Sequence, residues 1–191
     1  RKHRQTGAGG ILAFAPFFEQ DSSQLSIADG GDLRSGLSPL PFSGAEVLTL
    51  KKRFGATSQI LLGKSATKSQ FLAQSGGFQI LHLATHGKAN HLAGEFSYLA
   101  FAGDKTHPDN GLLSVGELYN CALNADLVVL SACETGIGED QRGEGVVSLS
   151  RAFAFAGAKS IVSSLWSVND KSTSQVLDDF YAELLSGTTT N

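Results

Sequence analysis

Ile80-Leu81-His82-Leu83-Ala84-Thr85-His86-Gly87 is an apolar run that stops at an imidazole. Asp126-Leu127-Val128-Val129-Leu130-Ser131-Ala132-Cys133-Glu134-Thr135-Gly136 is a second apolar run, and it stops at a thiol. Short apolar runs closed by turn residues suit strands buried on both faces, as in a parallel sheet. Two such strands in one sheet would release His86 and Cys133 at the same carboxyl-terminal edge, where open α/β sheets bind ligands. The chemistry this pairing suggests is a cysteine nucleophile with a histidine base.

Outward from these runs the pattern alternates between strand and helix. Ile11-Leu12-Ala13-Phe14-Ala15, closed by Pro16, reads as a first buried strand, and residues 19–41 as a long irregular connection. Ser43 with Glu46 fits a capping box for a helix carrying Val47, Leu50 and Phe54 and ending at Gly55. A strand Gln59–Leu62 and a helix from Thr67 then lead to the histidine strand. Beyond it come a strand Phe96–Phe101, a tight turn at Asp109-Asn110-Gly111, and a second capping box, Ser114 with Glu117, before the cysteine strand. Val146, Leu149, Phe153 and Ala156 form a helical stripe stopped by Gly157. The strand Ser160–Leu165 follows, then a last helix capped by Asp170 and carrying Val176, Leu177, Phe180, Leu184 and Leu185. This alternation predicts an α/β fold with a mainly parallel sheet. Residues 1–10 read as a linker remnant and 11–187 as one domain.

Composition narrows the function classes. The 191 residues are 41% hydrophobic and 17% charged with four prolines, enough for a substantial core and unlike a disordered chain. A formal net charge of −3 and a pI near 5.9 argue against direct nucleic-acid binding, because the basic cluster is confined to Arg1, Lys2, His3 and Arg4. No stretch approaches the length of a membrane span, and no signal peptide opens the chain. Two cysteines fit free thiols in a reducing compartment, so a cytoplasmic protein is expected. Methionine is absent and the chain stops just past a helical pattern, so a piece of a longer protein is expected.

The two ends carry the chemistry. Thiolate is the attacking form of cysteine, and a turn of small residues opening toward a helix surrounds Cys133 with backbone N–H groups. Gly87 after His86 lets the backbone turn and leaves its N–H accessible, so the Gly87 and Cys133 N–H groups are candidate oxyanion donors. His82 and His86 lie about 13 Å apart on a straight strand and cannot share one metal ion without a sharp bend. His82 reads as a core or supporting histidine and Cys121 as a packed thiol. His91 and His107 read as solvated loop residues.

Five ordered blocks go further. Leu83-Ala84-Thr85-His86-Gly87, then Ala125 through Gly136, then Gly143-Glu144-Gly145 with Arg151-Ala152-Phe153, then Gly157-Ala158, then Leu165-Trp166-Ser167-Val168-Asn169-Asp170 resemble the CHAT domain, through roughly residues 40–186. The resemblance implies a caspase-like three-layer sandwich with helices on both faces of the sheet. It also implies a cysteine endopeptidase of the caspase, separase and gingipain group that uses a His86/Cys133 dyad. A sensor or tetratricopeptide-repeat region on the amino-terminal side is implied as well. The chemistry requires no metal and no organic cofactor, and the expected partner is a protein or peptide substrate. Ala132-Cys133-Glu134-Thr135-Gly136 is one residue longer before its glycine than the caspase turn, so aspartate specificity does not carry over.

Acidic residues follow the cysteine. Glu134, Glu139, Asp140 and Glu144 face Arg142 alone within residues 134–145, which suits either a pocket for a basic side chain or a solvated acidic loop. Asp140, with Glu134, is the candidate pocket carboxylate, and Trp166 either walls a substrate groove or packs. Two rival readings stay open: a catalytically silent CHAT-like interaction scaffold, and a thiol redox domain. The latter lacks a nearby resolving cysteine.

Overall fold

The computed structural model describes residues 8–18, 37–88, 96–103, 111–131, 144–163 and 170–187. Five strands form one parallel sheet: β1 (Ala8–Ala15), β2 (Ser58–Leu62), β3 (Phe78–Ala84), β7 (Leu127–Ser131) and β8 (Ser160–Ser163), in the order β2-β1-β3-β7-β8. The histidine strand β3 is therefore central, and its neighbour on one side is the cysteine strand β7. All five residues of β7 are buried, which is why that strand reads as a continuous apolar run rather than an alternating one.

Alternation along each strand splits the core into two faces. Leu12, Phe14, Leu81, Leu83, Val128 and Leu130 face α2 (Lys68–Gln74), α3 (Val115–Leu118) and α4 (Glu144–Ala156). There Phe14 meets Phe71 and Phe101 edge to face, with ring centres 5.9 and 5.4 Å apart. Ile11, Ala13, Ala15, Leu127 and Val129 face α1 (Pro41–Phe54) and α5 (Asp170–Ser186), through Val47, Leu50, Leu177 and Tyr181. Each large apolar side chain buried in these layers contributes about 1.5–3 kcal/mol. The result is the expected three-layer α/β sandwich.

A second, antiparallel sheet of β4 (Gly87–Lys88), β5 (Tyr98–Ala100) and β6 (Leu112–Ser114) grows from the residues after β3. The run predicted as one strand through Phe101 thus contributes three residues, and to this small sheet. Ser114 and Glu117 form the expected capping box of α3. At Gly157 φ is 118°, and a Cβ there would strike the Leu123 carbonyl, so glycine ends α4 as expected.

The first capping box is a correction. α1 starts at Pro41, two residues before Ser43, because proline is favoured in a first helical turn. Ser43 lies inside the helix and its hydroxyl donates to the Leu40 carbonyl, and Glu46 turns to the sheet instead of capping. In α5 the buried face is Leu177 and Tyr181, whereas Val176, Leu184 and Leu185 are exposed.

Candidate active site

The carboxyl-terminal edge of the sheet is set by the pairing of β3 with β7. Their last registered pair is Ala84 with Ser131, and the Thr85 N–H donates to the Ser131 carbonyl at 3.3 Å. His86 is two residues past Ala84, and Cys133 is two residues past Ser131 in sequence. Cys133 itself lies outside the described residues, as do Glu134, Asp140, Trp166, His91 and His107. β3 and β7 are thus adjacent, parallel and end at one level.

His86 is 1% exposed and is held from above. Its Nε2–H donates to the Ser38 carbonyl at 2.6 Å, and its ring meets Phe17 edge to face at 5.1 Å. Pro39 restricts Ser38 to extended backbone, which presents that carbonyl. Leu40 N–H, bonded to the Phe17 carbonyl at 2.8 Å, ties residues 37–40 to the end of β1. A carbonyl accepts and cannot donate, so Nε2 carries a proton, and in the neutral ring Nδ1 is the basic nitrogen.

Gly87 does not turn sharply, as the sequence suggested. It opens β4 opposite Leu99, and the His86 carbonyl accepts from Ala100 N–H at 2.9 Å. That bond makes Gly87 and Leu99 a non-hydrogen-bonded pair, so the Gly87 N–H takes no part in the β4–β5 ladder. Thr85 braces the same corner by donating its hydroxyl to the Ala100 carbonyl. Ser131, 1% exposed, stands on the α1 and α5 side by alternation with Val129, and its hydroxyl meets no hydrogen-bond partner among the described residues.

Below this edge, His82 is fully buried and engaged at both nitrogens. Nε2 meets the Glu46 carboxylate at 2.6 Å and Nδ1 meets the Tyr181 hydroxyl at 2.9 Å. Burial, reinforced by the Glu46 carboxylate, pushes the Tyr181 phenol far above its ordinary value, so it keeps its proton. Among the described residues no three His, Cys, Asp or Glu side chains group as a metal site. Cys121 is half-buried, its Sγ 3.5 Å from the Glu117 carbonyl, in the wall of a groove of about 580 Å³ at the amino-terminal edge of the sheet. Burial and then Glu117 push that thiol upward, as befits a packed cysteine.

Sequence reasoning gave Phe17, Ser38 and Tyr181 no role and read Glu46 as a capping residue. Glu46 carried a signal: it stands beside Val47 and four residues before Leu50, so a carboxylate interrupts the buried stripe of α1 and needs a partner. Ser38 carried none, because its contact is made by the main chain.

The family model described as CHAT domain matches residues 15–191. The chain belongs to the CHAT domain family. Among curated proteins, Tetratricopeptide repeat protein 28 of Mus musculus is 26% identical across 78% of the chain, and Tetratricopeptide repeat protein 28 of Homo sapiens is 33% identical across 40% of it. The CHAT domain chain spans only 7% and 3% of the lengths of these two proteins.

Proposed function

We propose that this CHAT domain is a cysteine endopeptidase. His86 Nδ1 takes the proton of the Cys133 thiol, and the thiolate attacks the carbonyl carbon of a peptide bond. The Gly87 and Cys133 N–H groups hold the oxyanion, and the protonated imidazole returns its proton to the leaving amine. Water then cleaves the thioester, with His86 again as base. The observation that supports this reading is the Ser38 carbonyl on His86 Nε2, which fixes the imidazole just past β3, whose neighbour β7 ends at the same level.

Asp140 and Glu134 are assigned to a pocket for a basic residue before the scissile bond, with Trp166 as a groove wall. The partner is a protein or peptide chain, in the cytoplasm. The repeat proteins the chain resembles support a tetratricopeptide-repeat region in the whole protein, and we assign to that region the restraint of the enzyme until a partner acts. Among the described residues no helix is long and apolar enough to cross a membrane.

A second reading, an interaction scaffold on the same fold, is favoured by the burial of His86 beneath Phe17 and Ser38. Cleavage of a peptide library by the full-length, activated protein and by Cys133→Ala separates the two. Peptides cut by the native protein and spared by the alanine variant support the peptidase. Identical digests from both would leave the scaffold.

A further inference from the structure

β3 and the segment entering α1 are joined twice. His86, just past the strand, donates to the Ser38 carbonyl. Four residues earlier His82 meets the Glu46 carboxylate, and behind it Tyr181 of α5 closes the chain on Nδ1. The residues of the lower tie are 5% exposed or less. We propose that Glu46, His82 and Tyr181 are positioning residues for His86: the lower tie sets where α1 lies, and α1 sets where the Ser38 carbonyl stands. The inference rests on His86 being the base of the peptidase reading.

The mechanical path is short. Ser38 precedes the first residue of α1, Pro41, by three positions, and the Ser43 hydroxyl fastens the Leu40 carbonyl to the first turn of that helix at 2.7 Å. A slide of α1 by one residue in either direction would bring Ala45 or Val47 to the imidazole of His82 and leave a buried carboxylate without its partner. A polar pair in an apolar layer thus specifies register, where Val47 and Leu50 alone would tolerate a slide. Tyr181 adds direction: with His82 neutral, its hydroxyl, kept protonated by burial, donates to Nδ1 while Nε2–H points at Glu46. A cavity of about 20 Å³, room for one water, lies beside Glu46 and Tyr181 between α1 and α5. Arg53 also links these helices, through Asp178 at 2.7 Å, but on the exposed side and away from β3.

Side-chain nitrogen NMR of the 15N-labelled protein without substrate tests this, with the His86 ring assigned through His86→Gln. The native ring shows one tautomer, protonated at Nε2. In Glu46→Ala and in Tyr181→Phe, exchange of that proton quickens at least about tenfold and the second tautomer appears. Glu46→Gln, which still accepts from His82, restores the native pattern. Arg53→Ala lowers the melting temperature and leaves the proton as it was. The proposal is overturned if Glu46→Ala leaves exchange at His86 unchanged, or if Arg53→Ala moves it as far. Should Glu46→Ala not fold, Tyr181→Phe decides by the same criterion. Because no substrate is used, a domain that cleaves nothing yet shows this pattern retains the positioning tie and loses only the peptidase reading.

Discussion

His82 and His86 belong to one strand and its first turn, yet their surroundings hold them in opposite ways. His82 has both nitrogens engaged by buried side chains, a carboxylate on one and a phenol on the other. His86 has its Nε2 fixed by a main-chain carbonyl, and its ring lies at the sheet edge where the thiol strand also ends. What separates the two imidazoles is the identity of their partners, since both are almost fully buried. A buried carboxylate that would lose its hydrogen-bond partner makes His82 costly to remove, whereas His86, bonded to a main-chain oxygen, is cheaper for the fold to lose.

The sharpest way to break that contrast is to exchange the roles by mutation. His86→Ala and Cys133→Ala are each expected to lower kcat/KM for a cleaved peptide at least about a thousandfold, with melting close to native. His82→Ala should do the reverse: a loss of about 3–5 kcal/mol in denaturant unfolding, because Glu46 is left buried without its partner. If His82→Ala folds with native stability, the division of labour fails. Tyr181→Phe should cost about 1–3 kcal/mol, as Nδ1 loses its donor while the ring packing against Phe54 and Phe180 stays.

The two cysteines extend the comparison to the two edges of the sheet. Iodoacetamide at neutral pH should label Cys133 first, and Cys133→Ser should abolish the fast phase. Cys121→Ser should leave that phase intact, since burial holds the Cys121 thiol above its ordinary value of 9.0. The smallest effect is expected at Glu117. Burial alone would raise its carboxyl, but hydrogen bonds from the buried Lys68 ammonium and from Ser114 outweigh it and hold the group below 4.5. The charged form is therefore the one the fold prefers. Its contribution is complete above pH 4.5 and is lost as pH falls through the lower folded value, so Glu117→Gln should flatten the acid limb of a stability–pH curve.

Most of the architecture was legible. The apolar runs around His82 and Val128 gave central strands because burial on both faces leaves no alternation to misread, and Ser114 with Glu117 gave a true cap. Ser43 with Glu46 matched the same pattern and misled, because Pro41 starts the helix earlier and a buried imidazole competes for the carboxylate. The run Phe96–Phe101 was read as one strand of the fold, yet only its middle pairs, and in an antiparallel sheet that nothing local to the run announces. At the site, the place of His86 just past a central strand was legible. Its holder was not, because residues 37–40 reach it across 48 positions of chain and touch it with backbone.

The oxygen that holds His86 has a consequence for heredity. Every amino acid at position 38 supplies the same carbonyl, so codon changes there leave the hydrogen bond intact as long as the path of the backbone is kept. A saturation library at Ser38 should return mostly functional clones, while deleting a single residue between Leu37 and Leu40 should silence the site. Relatives can therefore diverge at this position without losing the interaction, and its trace in a family is the spacing from residue 38 to Pro41 rather than any letter.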